Sequence, residues 1–277
     1  MTTTNETWRQ RSQACAVPCY GDGRVALTRG EGCRVWDADG NAYLDLLAGI
    51  AVNCLGHAHP VIRDALADQA GRLVHCSNKF IVPAQVELAE WLCARSFAER
   101  VFFTNSGTEA MEAALKLVRR VAHDRGEHDR VEIISFAGSF HGRTYGAVSA
   151  TAQAKYQQGF EPLLPAMVHL PFEDEAALDQ ALTARTAAVV LEPIQGEGGV
   201  RPFSRDFLHR VRRMCTERGA LLICDEIQSG MGRTGRLFGF EHSEIVPDVV
   251  TVAKALGGGV PIGAMLTTAA CGDHLTN

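Results

Sequence analysis

The sequence predicts an α/β protein: a mostly parallel sheet flanked by helices, preceded by a small antiparallel segment. Two observations predict the sheet. Short apolar runs alternate with amphipathic segments from about position 84 onward, and a polar cluster follows each run. A third observation predicts the antiparallel segment, because Asp39-Gly40 stands between two partly alternating runs, as in a β-hairpin. The 277 residues are enough for one large domain or two modest ones.

The amino-terminal segment is predicted to hold this hairpin and a loop. Partly alternating runs occupy positions 25–28, 33–36 and 42–46 around the Asp-Gly turn. Gly49–Pro60 then reads as irregular chain that ends where Pro60 can start a helix. Apolar side chains follow at helical spacing at Ile62, Leu66, Ala70 and Leu73.

Five apolar runs in the rest of the chain have the length and composition of buried strands. They are Val101–Thr104, Val131–Ile134, Ala187–Leu191, Ala220–Cys224 and Val249–Ala253. The polar clusters that follow them are Asn105–Glu109, Phe140–Arg143, Glu192–Glu197, Asp225–Gln228 and Lys254. Open α/β sheets bind ligands beyond the carboxyl ends of their strands, so the five clusters predict one convergent pocket.

Composition excludes several other classes of protein. The chain has 46% hydrophobic residues, 27 basic and 32 acidic side chains and a net charge of −5, so disorder, collagen-like repeats and a coiled-coil rod are not expected. The acidic balance argues against nucleic acid as a partner, because phosphate binding needs a basic excess. No apolar run approaches the ~18 residues that span a bilayer, so no membrane partner is expected.

The nine cysteines form no recognisable framework. Their number is odd, they are scattered, and no C-x-x-C pair occurs, which argues against a disulfide scaffold or a zinc site. The first ten residues lack the apolar region and small-residue cleavage site of a secretory signal. The expected compartment is therefore the cytoplasm.

Lys254 is the first candidate for chemistry, because lysine is scarce. The four lysines are Lys79, Lys116, Lys155 and Lys254. Lys254 ends a buried-type strand and precedes the glycines at 257–259, whereas Lys116 and Lys155 are expected to be solvated. A partly desolvated lysine has a lowered pKa and can act as a Schiff-base nucleophile. The alternative is a lysine whose amine reaches solvent from the strand end.

Asp225 is the second candidate, since its carboxylate follows a buried strand and needs a cationic or hydrogen-bonding partner. A protonated ring nitrogen of a ligand, a magnesium ion or the backbone N–H groups of a helix that Asp225 caps would each meet this need equally well. Ser106–Thr108 falls where a strand turns into a helix, which suits either an anion or an ordinary cap. The segment lacks the lysine of a phosphate-binding Walker loop, and the glycines at 257–259 lack dinucleotide-binding spacing.

Other polar residues near these strand ends suit ligand binding. Phe140 can lie against a planar ring, and Arg143 can grip a carboxylate through two hydrogen bonds. Glu197 stands in a glycine loop, where it can neutralise Arg143, receive a substrate amine or simply be solvated, and Gln228 can reach the ligand of Asp225. The loop histidines His57, His59 and His141 are interpreted as structural. No metal site is expected, because no third and fourth protein ligands accompany His57 and His59.

Five segments together resemble the class III group of fold-type I, pyridoxal phosphate (PLP)-dependent aminotransferases. They are Asn105–Ala110, Phe140–Thr144, Glu192–Gly199, Asp225–Gly235 and Ala253–Gly259. The resemblance runs from about residue 16 to the end, and the order of the five motifs makes it specific. Within that family, Gly49–Pro60 and Phe97–Phe103 are most similar to members that act on N-acetylornithine.

The resemblance implies PLP as cofactor and a role for each matching residue. Lys254 and Asp225 would be catalytic: Lys254 would bind the cofactor covalently and move a proton, and Asp225 would keep the pyridine nitrogen protonated. The cofactor-binding residues would be Gly107 and Thr108 at the phosphate, Phe140 on the ring, Gln228 at the ring hydroxyl, and Asp225, Glu226, Ile227 and Lys254. Arg143 would bind the substrate α-carboxylate, and Glu197 would help the site alternate between its two substrates.

The implied reaction passes the terminal amine of N-acetylornithine to 2-oxoglutarate, in arginine biosynthesis, in a homodimer. Ornithine, 4-aminobutyrate and succinyl-diaminopimelate are alternative substrates within the family. The family continues with a Gly-Ser-Thr-[Phe/Tyr]-Gly-Gly-Asn-Pro segment and a C-terminal small domain, which this sequence lacks. Residues 1–60 are therefore expected to be part of a small domain and 61–277 an incomplete PLP-binding large domain with exposed apolar surface. A non-catalytic fragment is the alternative of a different class.

Overall fold

The computed structural model describes residues 4–21, 23 and 25–276, and the chain divides into two units, Met1–Phe80 and Ile81–Asn277. The first unit contains a three-stranded antiparallel sheet formed by β1 (Leu27–Glu31), β2 (Arg34–Asp37) and β3 (Ala42–Leu44). The Asp-Gly turn joins β2 to β3, so the predicted hairpin is confirmed. The domain boundary expected after residue 60 stays a prediction.

The helices of the first unit are α1 (Asn5–Cys15), α2 (Ala48–Ala51) and α3 (Pro60–Arg72). Pro60 is the first residue of α3, and the ring of His59 caps it by accepting from the backbone N–H of Val61 at 3.3 Å. The neighbouring His57 bonds Asp45, with 2.7 Å between Nε2 and Oδ2. Both histidines therefore have the structural roles that the sequence predicted.

The second unit is a seven-stranded sheet with helices on both faces. Its strands are β4 (Arg100–Thr104), β5 (Glu132–Phe136), β6 (Met167–Leu170), β7 (Thr186–Leu191), β10 (Leu221–Asp225), β11 (Val249–Val252) and β12 (Gly263–Thr267), and a separate hairpin contains β8 (Ile194–Gln195) and β9 (Arg201–Pro202). Its helices are α4 (Pro83–Ala94), α5 (Gly107–Asp124), α6 (Tyr145–Ala150), α7 (Ala154–Gln157), α8 (Glu175–Ala181), α9 (Arg205–Arg218) and α10 (Ala269–Gly272), with 3₁₀ turns at Gly239–Ser243 and Lys254–Leu256.

The strand order across the sheet is β4-β12-β11-β10-β7-β5-β6. The pairs among β5, β6, β7, β10 and β11 are parallel, while β12 is antiparallel to both of its neighbours, β11 and β4. The predicted mostly parallel sheet is therefore confirmed, and all five predicted strands are present. The sequence patterns missed β6 and β12.

Both faces of the sheet are buried, which explains the continuous apolar runs. Along β5, Ile133 packs in a cluster with Leu117 of α5, and Ile134 packs in a second cluster with Phe207 of α9. Val189 and Val190 of β7 divide between the two clusters in the same alternating way. None of the helices in the described ranges combines the length and apolar composition needed to cross a bilayer.

Candidate active site

The five polar clusters meet at one edge of the seven-stranded sheet. Each follows the carboxyl end of a strand: β4, β5, β7, β10 and β11 point the same way, and direct contacts link the segments that follow them. The second unit thus brings the segments after these parallel strands together, and the ligand pocket that the sequence predicted there stays a prediction.

Asp225 ends β10 with only 3% of the residue exposed. Nδ1 of His141 donates to Oδ2 at 2.7 Å, and the backbone N–H of Ile227 and the hydroxyl of Thr251 donate to Oδ1 at 3.1 and 3.3 Å. Burial acts to lower the pKa of His141, but its hydrogen bond to Asp225 and the charge of that carboxylate outweigh burial, so this pKa is raised. The sheet edge therefore holds a buried carboxylate that is hydrogen-bonded to a buried imidazole and favours its protonated form.

Lys254 follows β11 with φ of 44°, a left-handed conformation that is strained for a residue with a side chain. Burial lowers the pKa of its amine, while the charges of Asp225, Glu197 and Glu192 act to raise it. Within the described ranges the amine has no hydrogen bond or ion pair. A half-buried amine with a lowered pKa and no partner is available as a nucleophile.

Glu192, which the sequence did not single out as a site residue, joins the loops after β5 and β7. Its Oε1 accepts from the backbone N–H of Phe140 at 2.8 Å, and its Oε2 accepts from that of Gly196 at 3.2 Å. Burial raises its pKa to about 7. Gly196 in turn lies against Gln228, because a Cβ at position 196 would be 1.6 Å from Oε1 of Gln228. The loop bearing Glu197 is thereby packed against the one bearing Gln228.

The amino terminus of α5 is both capped and open to an anion. Oγ of the N-cap residue Ser106 accepts from the backbone N–H of Glu109 at 3.3 Å, and the Glu109 carboxylate accepts from that of Asn105, the residue before the cap, at 2.6 Å. The backbone N–H groups of Gly107 and Thr108 donate to no acceptor in the described part of the chain. Two free N–H groups at a helix start suit a phosphate.

Thr108 fixes the turn that contains Arg143. Its Oγ1 accepts from the backbone N–H of Arg143 at 3.2 Å and of Thr144 at 3.3 Å. Gly142, at φ of 133°, allows this approach, because a Cβ there would lie 2.3 Å from the same oxygen. Arg143 and Glu197 are both exposed and, within the described residues, form no ion pair with each other.

Sequence reasoning missed His141 as part of this site. Its place in the cluster after β5 was visible, but its partner Asp225 is 84 positions away. A lone loop histidine gives no signal of such a partner, because the pairing depends on which strands are neighbours. Tyr156 was missed in the same way and lies beside Arg143, with 4.3 Å between the guanidinium carbon and the ring centroid.

The family described as aminotransferase class-III matches residues 20–277. The chain belongs to the class III aminotransferase family. Pyridoxal phosphate is the cofactor of this family. The resemblance drawn from the five motifs is thus confirmed at the level of the family.

Several relatives within this family are similar to the chain over most of its length. The chain is 51% identical over 255 residues to the acetylornithine aminotransferase of Rhodobacter capsulatus, an overlap of 92% of this chain and 65% of that protein. It is 46% identical, with a TM-score of 0.81, to the N-acetylornithine aminotransferase structure from Stenotrophomonas maltophilia, over 93% of this chain and 65% of that one. The ornithine aminotransferase of Toxoplasma gondii has a TM-score of 0.94 at 35% identity, over 99% and 66%. The chain spans about two thirds of the length of these relatives.

The chemistry of the sheet edge fits the family's cofactor. PLP has a phosphate, a ring nitrogen and an aldehyde. The free N–H groups of Gly107 and Thr108 suit the phosphate, the buried Asp225 suits a protonated ring nitrogen, and the Lys254 amine suits the aldehyde. The assignment of these and the other site residues stays a prediction.

Glu226, next to Asp225, is fully buried and faces another segment of the chain. Its Oε2 accepts from the hydroxyl of Ser229 at 2.5 Å and the backbone N–H of Gly239 at 2.9 Å, and its Oε1 accepts from that of Phe240 at 2.8 Å. Burial raises its pKa to about 7. These hydrogen bonds connect Glu226 to both ends of the segment 229–240 and stabilise its conformation. The assignment of Glu226 to the cofactor site stays a prediction.

The titration of Glu226 predicts a pH dependence of stability. Its pKa is raised in the folded state above the ordinary value of 4.5, so its contribution is fully present below pH ~4.5 and is lost as pH rises through about 7. A shift of this size corresponds to on the order of 3 kcal/mol. We expect the free energy of unfolding to fall between pH 5 and pH 8, and Glu226→Gln to flatten that fall.

Denaturant unfolding across this pH range measures the slope. Glu192 titrates in the same window, so Glu226→Gln is expected to reduce the slope without removing it. Glu217→Gln, an exposed position on α9, is the matched control and is expected to leave the slope unchanged. A Glu226→Gln slope equal to that of the parent protein contradicts the prediction.

Proposed function

We propose that this protein is an acetylornithine aminotransferase that passes the terminal amine of N-acetylornithine to 2-oxoglutarate and yields N-acetylglutamate semialdehyde and glutamate. The observation behind the reaction type is a half-buried Lys254 amine without a partner, close enough to the buried Asp225 to feel its charge. The observation behind the substrate is 51% identity to an acetylornithine aminotransferase, against 35% to an ornithine aminotransferase.

The proposed roles follow from the contacts at the sheet edge. Bound PLP supplies an electron sink that stabilises negative charge on the substrate carbon. Asp225, with His141 fixed behind it, holds a negative charge where a protonated ring nitrogen would pair with it. Lys254 would hold the cofactor through its amine, and afterwards Nζ would take and return a proton, which its lowered pKa favours.

The remaining positions are proposed to orient the cofactor and the substrate. Gly107 and Thr108 would hold the phosphate, and Phe140 would lie against the ring. Ile227 and Gln228 would line the cofactor site. Ile227 lies directly against Gly107, because a Cβ at position 107 would be 2.8 Å from its Cδ1 atom. The substrate contacts are assigned to two exposed side chains, with Arg143 for the α-carboxylate and Glu197 for the alternation between the two substrates.

We also propose that the protein works as a homodimer in the cytoplasm. Support for the dimer is the family resemblance, together with several large apolar side chains that the first unit leaves exposed. They include Leu46 at 86%, Leu47 at 66%, Val61 at 65%, Val74 at 83% and Phe80 at 67%. Large apolar side chains exposed in this number suit a protein interface. Support for the compartment is the odd and scattered cysteine set.

A donor profile tests the proposal. The purified protein, loaded with PLP, is supplied with 2-oxoglutarate and one donor at a time: N-acetylornithine, ornithine, 4-aminobutyrate or succinyl-diaminopimelate. We expect kcat/KM for N-acetylornithine to exceed that for each other donor by about tenfold or more. Ornithine and 4-aminobutyrate lack the acyl group and lose its contacts, and succinyl-diaminopimelate carries a larger, charged acyl group that a site for acetyl does not fit. Glutamate formation is the readout.

Each other outcome selects a stated alternative. A preference for ornithine or another donor rejects the substrate assignment and keeps the reaction type. No glutamate from any donor, together with no uptake of PLP, supports the non-catalytic fragment. A sample without PLP is the control and is expected to be inactive.

A further inference from the structure

Tyr156 lies against both Phe140 and Arg143. Its ring meets that of Phe140 edge-on, with the ring centroids 5.3 Å apart and the planes at 71°. The guanidinium carbon of Arg143 lies 4.3 Å from the Tyr156 ring centroid and 5.7 Å from that of Phe140. A guanidinium this close to an aromatic ring is attracted by the charge distribution of the ring.

The guanidinium of Arg143 is held by rings rather than by an acid. Its side chain is exposed, and within the described residues its N–H groups make no hydrogen bond or ion pair. An ion pair would occupy the N–H groups that a ligand carboxylate needs. A ring contact restricts the same side chain and leaves its five in-plane donors free.

The helical turn that carries Tyr156 is fixed by two glutamine side chains. Tyr156 belongs to α7, a single helical turn flanked by Gln153 and ended by Gln157. The amide of Gln153 donates to the backbone carbonyl oxygens of Gly138 and Ser139, just before Phe140. The amide of Gln157 donates to those of Val148 and Thr151, in and directly after α6. The donor–acceptor distances are 2.9 to 3.2 Å. The backbone that carries the Tyr156 ring is therefore anchored to the segments around Phe140.

We propose that Tyr156 is a positioning residue that holds the Arg143 guanidinium ready for a substrate carboxylate. This inference rests on the proposed function, in which Arg143 binds that carboxylate. A pre-positioned guanidinium loses less side-chain freedom when the ligand arrives, so the ring raises carboxylate affinity without touching the ligand. The ring face provides the effect, and the Tyr156 hydroxyl is dispensable for it.

The test compares Tyr156→Leu with Tyr156→Phe. Glutarate, a dicarboxylate that cannot transaminate, is the calorimetric probe on the PLP-loaded protein, and steady-state kinetics gives KM and kcat for 2-oxoglutarate. We expect Tyr156→Leu to weaken glutarate binding and raise KM by about tenfold, with kcat within about twofold. Tyr156→Phe, which keeps the ring, is expected to stay within about threefold of the parent protein.

Two further variants separate the ring–Arg143 contact from nearby effects. Lys155→Met removes another cation that lies over the same ring, at 4.7 Å from Nζ to the centroid, and is expected to leave glutarate affinity unchanged. In an Arg143→Ala background, Tyr156→Leu is expected to add no further loss, because its effect acts through Arg143. An additive loss in that background overturns the proposal.

Equal glutarate affinity in the parent protein and Tyr156→Leu also overturns it, as does a Tyr156→Phe loss as large as that of Tyr156→Leu. Failure of the proposed function gives a different pattern, namely no amino transfer by the parent protein from any donor. The glutarate comparison does not depend on turnover, so its result still supports or overturns the positioning role.

Discussion

Replacement of Lys254 with alanine is expected to abolish amino transfer, with kcat lowered by on the order of 10⁴-fold. The reason is that the side chain provides both the nucleophilic amine and the proton carrier in the proposed reaction. Its amine is half-buried, has a lowered pKa and feels the charge of Asp225. The lysines on α5 and α7, Lys116 and Lys155, are exposed and cannot replace it.

Borohydride reduction after incubation with PLP measures the effect directly, since it fixes the cofactor to the amine that captured it. Mass spectrometry of the peptides is expected to place the label on residue 254 in the parent protein and to find none in Lys254→Ala. Lys116→Ala, the matched control, is expected to keep both label and activity. Label on another lysine contradicts the assignment.

Loss of the fold cannot explain this result, because the same substitution is expected to leave the cofactor-free protein at least as stable. The Lys254 side chain is half-buried and its amine has no partner in the described chain. Replacing it with alanine therefore removes the free-energy cost of desolvating that amine. The backbone strain at φ of 44° remains in both proteins. Thermal unfolding of the cofactor-free proteins measures this, and a lower Tm for Lys254→Ala counts against the expectation.

Asp225→Asn is expected to lower kcat by about 10²- to 10³-fold. The substitution keeps the shape of the side chain and removes the negative charge that would pair with a protonated ring nitrogen of the cofactor. It also removes the charge that favours protonation of His141. The pKa of His141 is raised mainly by its hydrogen bond to Asp225 working against burial, so we expect this pKa to fall in the variant as burial prevails.

Kinetics and the NMR titration of His141 are the two measurements. Thr251→Val is the matched control, because it removes a single donor to Asp225, at 3.3 Å, and keeps the charge. It is expected to cost less than about tenfold in kcat. An unchanged His141 pKa in Asp225→Asn contradicts the account of this pair.

The predicted strands and the missed ones differ in their local signal. Apart from Thr186 at the start of β7 and Asp225 at the end of β10, these two strands are continuous apolar runs, because both faces of the sheet are covered. This pattern is visible without a structure. β12 begins with glycine and contains a single β-branched residue, Thr267, so it has little strand pattern of its own. It is a strand because it fills the place between β4 and β11.

The contacts within the candidate site likewise fall into short-range ones, which the sequence predicts, and long-range ones, which it does not. Ser106 and Glu109 form a cap that their spacing predicts, since all of its partners lie within four positions. The contacts of His141 with Asp225 span 84 positions, and those of Glu192 with Phe140 span 52. No periodicity or spacing in the sequence reports them.

By itself, the sequence determined the alternation of strands and helices, the sheet edge at which polar residues gather, and the family through the order of five motifs. These follow from local patterns, because burial and turn chemistry act on neighbouring residues. Only the tertiary structure decided that β12 is antiparallel to its neighbours, that His141 pairs with Asp225 and that Tyr156 lies against Arg143. Those depend on which segments lie side by side, and strand order places residues far apart in the chain within hydrogen-bonding distance.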